Sequence, residues 1–109
     1  MANISNFVFF DYTSTEKVSN YLANAQNASA VTVQVDAEDA VDLHFEAMND
    51  LTKPNNYYPI KAICLGDFHT YEKIEKRGLY MIIFDGIYRI RGVLNEGLGE
   101  CKVNVVSVG

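Results

Sequence analysis

Apolar and polar residues alternate along most of this chain with a period of two, the signature of strands that bury one face. Val31, Val33 and Val35 point one way while Thr32, Gln34 and Asp36 point the other. After a polar turn at Ala37-Glu38-Asp39 the pattern resumes, with Val41, Leu43, Phe45 and Ala47 opposed to Asp42, His44 and Glu46. These two segments read as a hairpin. The stretch Asn49-Asp50-Leu51-Thr52-Lys53-Pro54-Asn55-Asn56 is rich in turn formers, so a loop is expected there, followed by a strand in the apolar run from Tyr57 to Leu65.

Gly66-Asp67 ends that run, and Lys76-Arg77-Gly78 marks a further turn before Leu79-Tyr80-Met81-Ile82-Ile83-Phe84, whose unbroken apolar character predicts a deeply buried strand. Asp85-Gly86 is a strong tight-turn dipeptide. Beyond it Ile87 to Leu94 alternates again, with Arg89 and Arg91 on one face, and a second hairpin is expected. Asn95 to Gly99 turns the chain once more, and Cys101, Val103 and Val105 alternate with Lys102 and Asn104 into a closing strand.

The N-terminal third carries two signals. Phe7-Val8-Phe9-Phe10 is strand-like, whereas Val18, Tyr21, Leu22 and Ala25 recur at helical spacing behind Thr13 and Glu16, which fit a capping box. Residues 15–25 therefore read, on local evidence, either as one short helix or as a segment without one. Six or seven short strands punctuated by Gly, Asn and Asp predict an all-β fold, a two-sheet antiparallel β-sandwich with apolar faces packed together. The 109 residues suit one domain over 1–109, being too few for two independent cores.

Composition narrows the function classes. Apolar residues make up 49% and charged residues 21%, ordinary globular usage. Fourteen acids against nine bases give a net charge of −5, which argues against nucleic acid as a ligand, since binding phosphates needs a concentrated basic surface. No basic start with a long apolar run begins the chain, and no segment nears the roughly 18 apolar residues of a membrane span, so an aqueous cytoplasmic site of synthesis without membrane partners is expected. Cys64 and Cys101 are far apart and lie in strand-like segments, where they read as small buried apolar residues.

Chemistry-bearing residues are sparse. His44 shares a strand face with Asp42 and Glu46, but same-face neighbours stand about 7 Å apart, which suits a solvated face better than a metal site. Asp36, Glu38, Asp39 and Asp42 surround the first turn and offer oxygen ligands for Ca²⁺, or simply an acidic turn. His69 reads as a loop histidine. With neither a G-x-S-x-G elbow nor a glycine-rich loop ahead of a helix, no enzyme, metal or cofactor is expected. Tyr57, Tyr58, Tyr71, Tyr80 and Tyr88 offer a sugar-stacking platform if several face outward, although packing in the core with hydroxyls at the rim is the expected role for most. Arg89 and Arg91 remain as the candidate interface residues, suited either to a carboxylate on a neighbouring chain or to a salt bridge with the adjacent strand.

Taken in order, Val31-Thr32-Val33-Gln34-Val35, then Phe45-Glu46-Ala47-Met48-Asn49-Asp50, then Tyr57-Tyr58-Pro59-Ile60 resemble a tailed-phage structural module. Gly78-Leu79-Tyr80, Gly86, Tyr88-Arg89-Ile90-Arg91 and Val103-Asn104-Val105-Val106 extend the resemblance from about Val31 to the end. Ala47 stands where such modules usually have glycine, and Lys53-Pro54-Asn55-Asn56 replaces a glycine-rich loop. The resemblance implies a jelly-roll β-sandwich, with residues 15–25 extended. It further implies a virion component made in the host cytoplasm: a capsid decoration, connector, head-fibre or tail-accessory subunit that forms homo-oligomers and contacts phage capsid or tail proteins. A carbohydrate-binding jelly roll for host attachment is the alternative function.

Overall fold

The computed structural model describes residues 4–24 and 27–108. Ten strands follow in chain order: β1 (Ile4–Phe10), β2 (Leu22–Ala23), β3 (Ala30–Ala37), β4 (Asp42–Met48), β5 (Tyr58–Ile60), β6 (Ala62–Cys64), β7 (Thr70–Tyr71), β8 (Gly78–Ile83), β9 (Arg89–Glu96) and β10 (Cys101–Val108). They form a two-sheet antiparallel β-sandwich, one sheet ordered β1-β10-β3-β8-β6-β7 and the other β2-β9-β4-β5. The core lies between the sheets, where Val31, Val33, Val35, Ile82, Val103 and Val105 meet Leu43, Phe45, Ile90 and Leu94. These are the inward positions that alternation predicts.

Neither expected hairpin forms. β3 is bonded to β10 and β8, whereas β4 is bonded to β9 and β5 in the opposite sheet. The chain between them crosses the sandwich, with Val41 buried and its N–H donating to the carbonyl of Glu75 at 3.0 Å. Asp85-Gly86 does make a tight turn, closed by the Ile87 N–H on the Phe84 carbonyl at 3.1 Å with Gly86 at φ +76°. That turn also carries the chain across, from β8 to β9. Alternation records only that a strand has an inner face. It is equally satisfied when the next strand lies alongside in one sheet or about 10 Å opposite in the other.

The Tyr57–Leu65 run is not one strand. It divides at the exposed Lys61 into β5, an edge strand of one sheet, and β6 of the other. Pro59 explains the edge position, because it has no N–H for a second neighbour. The run Leu79–Phe84 is buried on one face only: Tyr80, Ile82 and Phe84 point inward, while Leu79 and Ile83 are 50% and 59% exposed.

No helix occurs among the described residues, and 17–24 is extended. Its backbone hydrogen bonds go sideways to β9 and to Tyr88 just before it instead of along a helix. Ser19 donates to the Gly92 carbonyl at 2.9 Å, Leu94 donates to the Lys17 carbonyl at 2.8 Å, and Asn24 donates to the Tyr88 carbonyl at 2.8 Å. Thr13 does not cap a helix, since its hydroxyl and N–H both donate to the carboxylate of Asp11. Ala25, part of the helical spacing, lies outside the described residues, as do Met1, Ala2 and Asn3.

Gly92 occupies an inward position on β9 where aromatic rings close over the backbone. A Cβ added there would meet Phe10 at 3.0 Å and Phe9 at 3.3 Å. Gly92→Val is therefore expected to destabilise the fold by about 1–3 kcal/mol through overpacking, measured as a lowered urea midpoint with an unchanged slope.

Candidate functional site

The outer face of the β2-β9-β4-β5 sheet gathers the chain's most organised polar and aromatic side chains. β9 presents Arg89 and Arg91 outward, because the intervening Ile90 is fully buried. The register sets Arg91 opposite Glu46 on β4 and Arg89 opposite Met48. Arg91 Nε donates to Glu46 Oε1 at 2.9 Å, and its guanidinium lies 3.8 Å from the centroid of Tyr57. His44 completes the row, with Nε2 at 3.3 Å from the other oxygen of Glu46. Arg91 makes the salt bridge with the adjacent strand that the sequence reading offers for it. Its charge is met within the sheet.

Arg89 is held differently. Its guanidinium carbon lies 4.0 Å from the ring centroid of Tyr21 and 5.2 Å from that of Tyr88. Cation–π attraction to both rings fixes the side chain without neutralising it. Its Nε is buried without a hydrogen-bond partner. Among the described residues no carboxylate pairs with it. Tyr21 escapes a sequence reading because its stretch carries a helical period. Only the pairing of β2 with β9 brings it to Arg89.

The other candidate residues do not converge. Asp42 pairs with Lys73 at 3.5 Å and stands apart from the group of His44, Glu46 and Arg91. Asp36 and Asp42 sit on strands of opposite sheets and face outward in opposite directions, so the four acids of the first turn cannot surround one Ca²⁺. Among the described residues no group of three His, Cys, Asp or Glu side chains is placed to hold a metal ion. Cys101 is buried, which pushes its thiol pKa up, and Cys64 is half-buried; both are free thiols.

His69 lies exposed in the loop between β6 and β7. Beside it the Tyr71 hydroxyl donates to Asp67, which raises the Tyr71 pKa to about 12 and lowers that of Asp67. Tyr80 alone of the five tyrosines is buried in the core, its hydroxyl donating to the Lys76 carbonyl at 2.8 Å. Tyr71 packs against the core's margin, whereas Tyr58 and Tyr88 are exposed and Tyr57 covers Arg91. More of this aromatic group faces outward than the expected core role allows.

No protein-family model matches the chain, and no curated protein matches it by sequence. The fold nevertheless has solved counterparts. The SPBc2 prophage-derived protein YomS superposes with a TM-score of 0.84 at 12% identity, over 100% of this chain and 96% of YomS. The PBSX exported protein XepA superposes with a TM-score of 0.81 at 17% identity, over 99% of this chain. The chain spans 38% of XepA's length. At such identities the likeness establishes the shared two-sheet architecture.

Proposed function

We propose that this chain is a non-enzymatic structural component of a phage or prophage particle, a capsid decoration, connector or tail-accessory subunit that assembles through protein–protein contacts. The observation that carries this reading is the end-to-end match with a prophage-derived protein of nearly the same extent. The strand order supports it: with β6 and β7 set aside, β1-β10-β3-β8 faces β2-β9-β4-β5, an interleaving that we read as a jelly roll of the kind used in viral shells. The outer sheet face supports it too, since preorganised arginine and tyrosine side chains are the residue types that anchor interfaces. On this reading the protein is made in the host cytoplasm and resides in the virion.

The test is co-sedimentation with particles lacking the subunit. Arg89 is the residue to reverse, because Arg91→Glu would set a second carboxylate against Glu46 and disturb the sheet itself. Wild-type protein is expected to sediment with particles, and Arg89→Glu to do so at least about tenfold more weakly, with the difference narrowing as salt rises. A wild-type protein that never joins particles refutes the assembly reading. Tyr21 and Tyr88, exposed beside Arg89, favour glycan binding as the second reading; saturable binding on a glycan array without particle incorporation would establish it instead.

A further inference from the structure

We propose that Arg89 is a preformed receptor for a carboxylate from a second copy of this chain, supplied by the acidic end of that copy's sandwich. The inference rests on the assembly reading above and names the contact. Three observations lead to it. First, Arg89 is clamped between Tyr21 and Tyr88, and its Nε is sealed from solvent without a hydrogen bond. A rigid guanidinium whose terminal nitrogens are not sealed is a fork suited to a carboxylate arriving from outside. Arg91, two residues on, already has Glu46 and needs none.

Second, the missing carboxylates stand at the opposite end of the molecule. The pairing of Asp42 with Glu96 sets the far end of β9 beside the β3–β4 crossing. Arg89 begins that eight-residue strand, so about 23 Å separates it from that end. There, the pairing of Cys101 with Ala37 brings Glu100 next to Glu38. Glu38, Asp39 and Glu100 line one recess with Asp36 and a single cation, Arg77, and all four carboxylates are exposed, so the recess keeps an excess of negative charge. None of them forms an ion pair among the described residues.

Third, the chain carries a net charge of −5, so two copies repel unless a specific cation meets the acids. Arg89 is a cation already held in one place by two rings, and so is suited to do so. Each copy thus bears both halves of a head-to-tail contact, which makes the interface heterologous, with different surfaces meeting on the two partners.

Charge exchange tests this directly. Sedimentation equilibrium at low salt is expected to show self-association of the wild type. Arg89→Glu alone, and the double variant Glu38→Lys with Asp39→Lys alone, should each associate at least about tenfold more weakly, and Arg89→Lys by an intermediate amount. An equimolar mixture of the two charge-reversed proteins should regain association, because reversed and native contacts then alternate along the assembly. Regained association also proves that both variants are folded.

A wild type that stays monomeric at the highest soluble concentration overturns the inference. So does an Arg89→Glu protein that associates like the wild type, or a mixture that stays dissociated. The failures are separable from those of the assembly reading. Monomeric wild type that still sediments with particles in an Arg89-dependent way assigns the receptor to a particle protein and leaves assembly standing. Rescued self-association without particle binding establishes the contact and removes the virion role.

Discussion

Phe45→Asp and Ile82→Asp are each expected to yield no soluble folded protein. The two side chains come from opposite sheets and meet the same core, at 1% and 0% exposure. A carboxylate at either place would lie between apolar faces with no partner, at a cost of several kcal/mol. A domain of this size has roughly 5–15 kcal/mol of total stability, so one such charge consumes much or all of it. Soluble yield and thermal melting monitored by circular dichroism decide the matter. Thr32→Asp, on the exposed side of β3, is the control and should melt like the wild type within about 0.5 kcal/mol. Cooperative melting of both core variants would show that the inward faces are misassigned.

Phe10→Ala is expected to cost about 3–5 kcal/mol, the penalty of deleting a buried aromatic ring. The size of this effect depends on one irregularity. In a regular strand Phe7 and Phe9 would share one face while Val8 and Phe10 took the other. The register of β1 against β10 instead shifts between Val8 and Phe10, and this bulge turns both Phe9 and Phe10 into the core. Phe9 then lies 6.1 Å from Phe45 across the sandwich, and Phe10 closes over Gly92. Val8, still outward, should tolerate alanine within about 0.5 kcal/mol. Equal, small losses for Phe10→Ala and Val8→Ala in urea titrations would mean that β1 runs without the bulge.

The amino-acid sequence by itself determined which side chains turn inward along β3, β4, β9 and β10, because a period of two in hydrophobicity is a local property and burying apolar surface rewards only one of the two faces. It likewise determined the all-β class, the turn at Asp85-Gly86 and the shared face of Arg89 and Arg91. Tertiary structure alone decided which strands are neighbours. Hairpin and crossing place the same residues inward, so β3 beside β10 and β8, and β4 beside β9 and β5, follow from how the whole set of strands closes over one core. It also decided the course of residues 17–24, where the open edge of β9 offers backbone partners that outweigh a weak helical period. For the same reason the candidate site was half legible. Arg89 and Arg91 are two residues apart and visible in any strand reading, but Glu46 and Tyr57 reach Arg91, and Tyr21 reaches Arg89, only across strand pairings that no local pattern encodes.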